Sequence, residues 1–304
     1  MPQKKGRLKV QVGQSLIGPP APRPVTLQPR SADDFPQSSR AHRALAEKLS
    51  SPLYLGPPIC DEFMALLEHV FSEDEAQLVR HLTVLKGTSA HTVARKARQD
   101  ESSVRRILDK AVERRSIWHE GDGEARRYKI LPIMPGMFEI LMCGHEPGKM
   151  DPWIKRFAEL FADLYDTGYY TAYVTYRTDT VRYMPTGHLA KAHPLALPSD
   201  QFEQIAESYD SFAVGHCQCR MSAELIGKGC GKPTLNCSAM GEWADGAIER
   251  GLMKRVSKKD YLEIKREAEA AGLVSFLMNI EFAAGQASCS CCGCCCYLLR
   301  LISD

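Results

Sequence analysis

The stretch "CSCCGCCC", Cys289 to Cys296, constrains this chain more than any other feature. It packs six thiols into eight residues, interrupted only by Ser290 and Gly293. Neighbouring cysteines rarely reach the geometry of an unstrained disulfide. The N-terminus, MPQKKGRLKVQVG, is basic, but no apolar stretch of signal-peptide length follows it. No apolar run reaches the roughly eighteen residues of a membrane span. These features predict a cytoplasmic chain with reduced thiols, where clustered cysteines bind metal or do redox chemistry. Acylation of cysteines near a terminus is the alternative. Against it, earlier cysteines have a spacing of their own.

Those earlier cysteines are Cys217, Cys219, Cys230 and Cys237, inside "GHCQCRMSAELIGKGCGKPTLNCSAMG". Gly227, Gly229 and Gly231 let the chain turn tightly and aim amide N–H groups at sulfur. Arg220, Lys228 and Lys232 are candidates to offset thiolate charge. His216 precedes Cys217, but a histidine at a strand end is more commonly a hydrogen-bonded structural residue. A helix–helix–strand insert separates the two cysteine groups and returns the chain via Gly285, so both groups can fold around shared metal centres. Zinc favours paired C-x-x-C hairpins with four ligands per ion, and no such pair precedes the final run. Vicinal cysteines such as Cys291 and Cys292 suit a polynuclear site, where neighbours face different irons. Four thiolates hold one iron–sulfur cubane. Ten cysteines from 217 to 296 are therefore enough for two [4Fe-4S] clusters with two thiols to spare. Cys60 and Cys143 stand apart in helical contexts and read as core residues.

The rest of the chain frames these ligands. At 44% hydrophobic and 25% charged, it is globular in composition, and a net charge of +2 gives no strong global field. Residues 1–45 read as a disordered arm, because residues 1–43 hold eight Lys/Arg against two Asp/Glu and seven of the eighteen prolines. From 60 to 142 the order is helix, helix, turn, helix, hairpin, that of a winged helix-turn-helix. Phe63, Leu66, Leu67 and Val70 share one helix face. Glu73 to Lys86 reads as a second helix, and a third starts near Thr88. Asp100 caps a helix with Val104, Ile107, Leu108, Ala111 and Val112 as its stripe. Two strand-like pieces flank Gly121-Asp122-Gly123.

A DNA-binding reading would use Arg105, Arg106, Lys110 and Arg114 on that helix, with Arg126 and Arg127 on the wing. Charge argues against it. Residues 60–135 carry thirteen Lys/Arg and thirteen Asp/Glu, whereas a phosphate-reading domain is clearly basic. The balance of +4 over 88–130 keeps DNA as a disfavoured partner.

Residues 150–304 form the expected iron–sulfur domain. "DPWIKRFAELFADLYD" is a helix with Pro152 in its first turn. "TVRYMPTG" and "SFAVGH" read as strands, "DQFEQIAESYD" and "MGEWADGAIERGL" as helices. "SKKDYLEIKREAEAAGL" is a helix with Ser257 and Asp260 at its start and Gly272 at its stop, followed by the strand "LVSFLMNI". The overall expectation is α+β, with a winged-helix-like module preceding a cysteine-rich domain.

These residues carry a resemblance. A C-x-C-R, a Gly-Lys-Gly-Cys followed by Lys-Pro, a Cys seven residues on, an "AIERGL…S…AEAAGLV" insert and a C-x-C-C-x-C-C-C run ending in Leu-Arg resemble the 4Fe-4S ferredoxin-like iron–sulfur-binding proteins of anaerobic bacteria and archaea. "MPGMFEI" is similar to that family's Pro-Gly-x-Phe-Glu stretch, and the likeness runs over roughly residues 60–300. Members often continue into C-x-x-C-x-x-C-x-x-x-C-P repeats, which this sequence lacks. The resemblance implies a [4Fe-4S] cofactor and says less about the pathway. The reading that follows is an electron-transfer protein serving a partner oxidoreductase. Its ligands would be Cys217, Cys219, Cys230, Cys237 and at least four of Cys289, Cys291, Cys292, Cys294, Cys295 and Cys296. The alternative is a cluster-sensing winged-helix transcription regulator, and a zinc-stabilised scaffold is the plainer third. "GKGCGKP" lacks the spacing of a P-loop, and no Ser/His/Asp or paired-carboxylate arrangement is recognisable. Substrate conversion would require a cluster with an open iron site.

Overall fold

The computed structural model describes residues 10–12, 15–17, 25–54, 56–170, 181–183, 202–278 and 286–303. It is an α+β structure, as the sequence led us to expect. Val10–Val12 (β1) and Ser15–Ile17 (β2) pair antiparallel. Gly285 and much of the "TVRYMPTG" piece lie outside the described residues.

The expected disordered arm is corrected in its second half. A helix, α1, spans Arg40–Leu49 and is capped by the Ser39 hydroxyl, which accepts from the His42 amide. Its Ala41, Leu45, Ala46 and Leu49 are buried in the main core. The segment before it is tied down by amides of Thr26 and Leu27 bonding Thr167 O at 3.0 and 3.1 Å. The apolar stripe was hidden in the sequence by its basic and proline-rich surroundings.

The next elements are α2 (Asp61–Val70), α3 (Glu73–Val79), β3 (Thr88–Ser89), α4 (Ala90–Ala97), α5 (Glu101–Glu113), β4 (Trp118–Glu120) and β5 (Arg127–Lys129). The second helix is shorter than the expected 73–86. It ends at Val79, and Thr83 Oγ1 then bonds Lys86 O in a turn. Asp100 caps α5 as its sequence implied, accepting from the Ser103 amide at 2.9 Å. The three short strands form an antiparallel sheet in the order β3-β5-β4.

Helices α6 (Phe138–Met142) and α7 (Pro152–Asp166) close this half. Asp151 caps α7, and Pro152 stands at its first turn, where a missing N–H costs nothing. Phe157, Leu160, Phe161, Leu164 and Tyr165 form its buried stripe.

The second half is built on a six-stranded antiparallel sheet in the order β6-β10-β11-β8-β7-β9. Its strands are β6 (Val181–Tyr183), β7 (Phe212–His216), β8 (Leu235–Met240), β9 (Lys254–Arg255), β10 (Val274–Met278) and β11 (Ala287–Cys291). Helices α8 (Phe202–Glu207), α9 (Gln218–Leu225), α10 (Gly241–Glu249) and α11 (Lys258–Ala270) connect them, and α12 (Tyr297–Ser303) follows the last cysteine. Tyr297 anchors α12 in the main core. Its ring meets Phe138 edge-on at 5.1 Å and Phe161 at 5.0 Å, and its carbonyl accepts from Tyr165 Oη at 2.8 Å. The cysteine run is thereby clamped between a sheet strand and a buried aromatic. No helix among the described residues is long and apolar enough to cross a membrane.

Candidate metal centre

The ten cysteines singled out in the sequence divide into two groups. Cys230, Cys292, Cys294 and Cys295 bring their Sγ atoms within 4.8 Å of one another. Cys230 and Cys292 are 4.0 Å apart, Cys294 and Cys295 3.8 Å. A single tetrahedral ion with bonds of about 2.3 Å spaces its sulfurs about 3.8 Å apart. A cubane interposes an iron–sulfide core and spreads them further. This outer group reaches the surface, since Cys294 is exposed.

The other six thiols form an inner group, in which hydrogen bonding runs Cys217, Cys219, Cys296, Cys291, Cys289, Cys237. Cys296 and Cys291 are 3.1 Å apart. The neighbours alternate. Accepting from Cys219 holds both Cys217 and Cys296 below the ordinary thiol value, and accepting from Cys237 does so for Cys289. Cys219 and Cys237 are held high by the same bonds seen from the donor side, and Cys291 is held high by its bonds to Cys289 and Cys296.

Local structure explains the division. In "ASCSC" successive side chains of β11 point to opposite faces. Cys289 and Cys291 share one face, opposite Phe276 and Val274 of β10. Ser288 and Ser290 share the other, and Cys292 continues on that side into the outer group. A turn over Gly293 to Cys295 then brings Cys294 and Cys295 to the outer group, and Cys296 falls to the inner one. Cys217 is the residue before α9, so Cys219 lies in its first turn. Cys230 sits between Gly227 and Gly231, both at positive φ (72° and 69°), where a side chain would strain the loop. Burial opposes ionisation of Cys230, but the Lys232 amide and hydrogen bonds from Cys295, Cys294 and Cys292 outweigh it and lower the thiol.

Two buried cations stand beside the thiols, Arg220 and Lys265, exposed by 3% and 0%. Arg220 Nη1 donates to Ser290 O at 2.9 Å and reaches Cys292 Sγ at 3.9 Å, while Nη2 bonds Asn236 Oδ1. Lys265 Nζ donates to Ser290 Oγ at 3.1 Å and Asn236 O at 3.4 Å. Among the described residues, neither cation has a carboxylate partner. Arg220 Nε is buried with no hydrogen-bond partner. Burial lowers the Lys265 ammonium to about 8, opposed by the charge of Cys289, Cys237, Cys291 and Cys217.

Other candidates behave differently. Lys228 is exposed and faces Asp166 at 3.6 Å, and Lys232 Nζ bonds Ala271 O. Neither replaces Arg220 as a charge partner for sulfur. His216 Nδ1 lies 2.9 Å from Thr234 Oγ1, a structural hydrogen bond. Cys60 is a core thiol, pushed up to about 12 by burial. Cys143 is buried too, but closer to the chemistry than its sequence context suggested. Gln218 Nε2 donates to Cys143 Sγ at 3.3 Å and to Cys237 Sγ at 3.5 Å. Lys265 escaped the sequence reading altogether. Its one signal was its place in the buried stripe Tyr261, Lys265, Ala268 of an amphipathic helix.

Comparisons with family models, with curated proteins and with solved structures return no match. The likeness to iron–sulfur-binding proteins therefore rests on the cysteine pattern. What stands is a cysteine cluster positioned to hold a metal. The donor set of that cluster, Cys230, Cys292, Cys294 and Cys295, fits an anionic metal–thiolate group: all sulfur, with the Arg220 guanidinium, whose Nε has no hydrogen-bond partner, 3.9 Å from Cys292 Sγ.

Proposed function

We propose that this chain is an iron–sulfur electron-transfer protein with two centres, one on each thiol group, passing electrons to or from a partner oxidoreductase. The observation that carries the reading is the splitting of vicinal pairs. Cys291 and Cys296 belong to the inner group, Cys292 and Cys295 to the outer one. Consecutive Cα atoms are about 3.8 Å apart, so two such centres would be separated by little more than one strand of backbone. The exposed Cys294 gives the outer centre a route to a partner, whereas none of the six inner thiols is exposed. The cysteine count is enough for a cubane at each group, with Cys217, Cys219, Cys237, Cys289, Cys291 and Cys296 offering six thiols for the inner one. The compact spacing of the outer group favours a second reading for that site alone, a single tetrahedral ion.

The order α3-β3-α4-α5-β4-β5, with its β3-β5-β4 sheet, supports a winged-helix-like reading of the first half. Its side chains favour protein docking over DNA. Arg114 bonds Glu75 at 2.7 Å, Arg105 bonds Glu101 at 3.3 Å and Arg126 bonds Asp109 at 2.8 Å. Three of the cations needed for phosphate contact are therefore engaged within the chain. The test is reversible reduction by dithionite of anaerobically prepared protein, followed by EPR. A spectrum without any iron–sulfur signal, with stoichiometric zinc, would replace this reading with a zinc scaffold.

A further inference from the structure

Lys265 and Arg220 converge on the same two residues. Ser290 accepts from Lys265 through its hydroxyl and from Arg220 through its carbonyl. Asn236 accepts from Lys265 through its carbonyl and from Arg220 through its side chain. Ser290 lies between Cys289 and Cys291, and Asn236 immediately precedes Cys237. Two like charges are thus buried side by side, against the backbone that carries three thiols of the inner group. Buried cations without counter-charge are costly, which is why they occur paired. Here no carboxylate pairs with them among the described residues. The lysine also lies over the Phe202 ring, 5.4 Å from its centroid, which walls it from water.

We propose that Lys265, backed by Arg220, is the built-in counter-charge of the inner centre and sets how readily that centre accepts an electron. It is a positioning residue: it touches the peptide segments bearing the sulfurs, not the sulfurs themselves. A fixed cation in a low-dielectric interior stabilises the more negative, reduced form of a metal–thiolate group. The outer centre feels Lys265 less, because the lysine bonds the neighbours of Cys237, Cys289 and Cys291, while the outer sulfurs have Arg220 at Cys292 and the exposed Cys294 beside solvent. The inference rests on the two-centre reading.

The experiment uses the full-length chain, prepared anaerobically, as wild type, Lys265→Met and Lys265→Arg. Iron, sulfide and zinc are quantified first, which decides the two-centre reading by itself. Redox titration followed by EPR then gives the midpoint potentials. In Lys265→Met, one signal should move to more negative potential while the other stays near its wild-type value. Lys265→Arg should restore the first. Unshifted potentials in iron-loaded Lys265→Met would overturn the inference and leave the two-centre reading standing. If the metal is zinc, the reading fails but the counter-charge is still tested. Lys265→Met should then lose zinc to a chelator several-fold faster than Lys265→Arg, and equal rates would overturn it. If Lys265→Met does not fold, Ser290→Ala, which removes the hydroxyl orienting the ammonium, is measured in its place with the same required direction.

Discussion

Cys291 and Cys292 are adjacent in the chain, yet their sulfurs belong to different groups. Cys291 faces Cys296 at 3.1 Å, and Cys292 faces Cys230 at 4.0 Å. The division predicts separable losses. Cys292→Ser should deplete the outer centre and spare the inner, and Cys291→Ser should do the reverse. Metal content with EPR of each variant checks this. If either single substitution abolishes both signals in folded protein, the two groups do not act as two centres.

Folding and metal binding should be coupled over residues 210–300, because the ligands come from β8, β11, α9 and two loops distant in sequence. Removing metal under reducing conditions should raise protease sensitivity and amide exchange there. The helices α2, α5 and α7 should keep their protection. Equal protection of the C-terminal half with and without metal would contradict the coupling.

Tyr297 follows Cys296 and packs against Phe138, Phe161 and Tyr165. Truncating a large buried aromatic costs about 3–5 kcal/mol. Tyr297→Ala should therefore lower denaturant stability by about that amount and reduce occupancy of the inner centre, whereas Tyr297→Phe should retain both. An occupied centre in folded Tyr297→Ala would show that the clamp does not position Cys296.

Glu139 accepts from the Gly136 amide at 2.6 Å, and burial pushes its carboxyl from 4.5 up to about 7. Its folded form holds the proton more tightly than the unfolded chain does. Its contribution to stability is therefore present below pH 4.5 and is lost as pH rises through about 7. Urea melts of wild type and Glu139→Gln across this window should show a decline in wild type that is flatter in the variant. Parallel curves would contradict the assignment.

The helices were legible wherever an apolar stripe, a cap or a stop marked them. Phe63 to Val70 stood out by its stripe alone, the Asp100 helix by stripe and cap, the Pro152 helix by its first-turn proline, and the Ser257 helix by its cap and the Gly272 stop. The strands that carry ligands were harder to see. Leu235–Met240 and Ala287–Cys291 look like polar loops, because serines and cysteines occupy positions that apolar residues take in an ordinary strand. Their burial follows from thiols on one face and a serine–lysine network on the other, and neither has a hydrophobic period. The α9 helix was missed because its first turn reads as C-x-C-R. The ten cysteines themselves stood out from spacing. Their division into four and six did not, because it depends on the pleat of β11 and the turn after Gly293. The Lys265 charge partnership is tertiary and left no mark beyond a lysine in a buried stripe.

DNA recognition through α5 would need Arg105 and Arg126 to leave Glu101 and Asp109. Cluster-loaded protein should show no base-preferring duplex binding at physiological salt, where phosphate contacts are weakened by counterion release. Binding that depends on Arg105 and Arg106 and switches with oxidation state would instead support the regulator.

The most direct measurement is the iron, acid-labile sulfide and zinc content of anaerobically purified protein. Two cubanes give about eight iron and eight sulfide per chain, and one cubane with a single outer iron gives about five iron and four sulfide. Either result, with an iron–sulfur EPR signal after dithionite, is what the account predicts. Stoichiometric zinc without sulfide would contradict it.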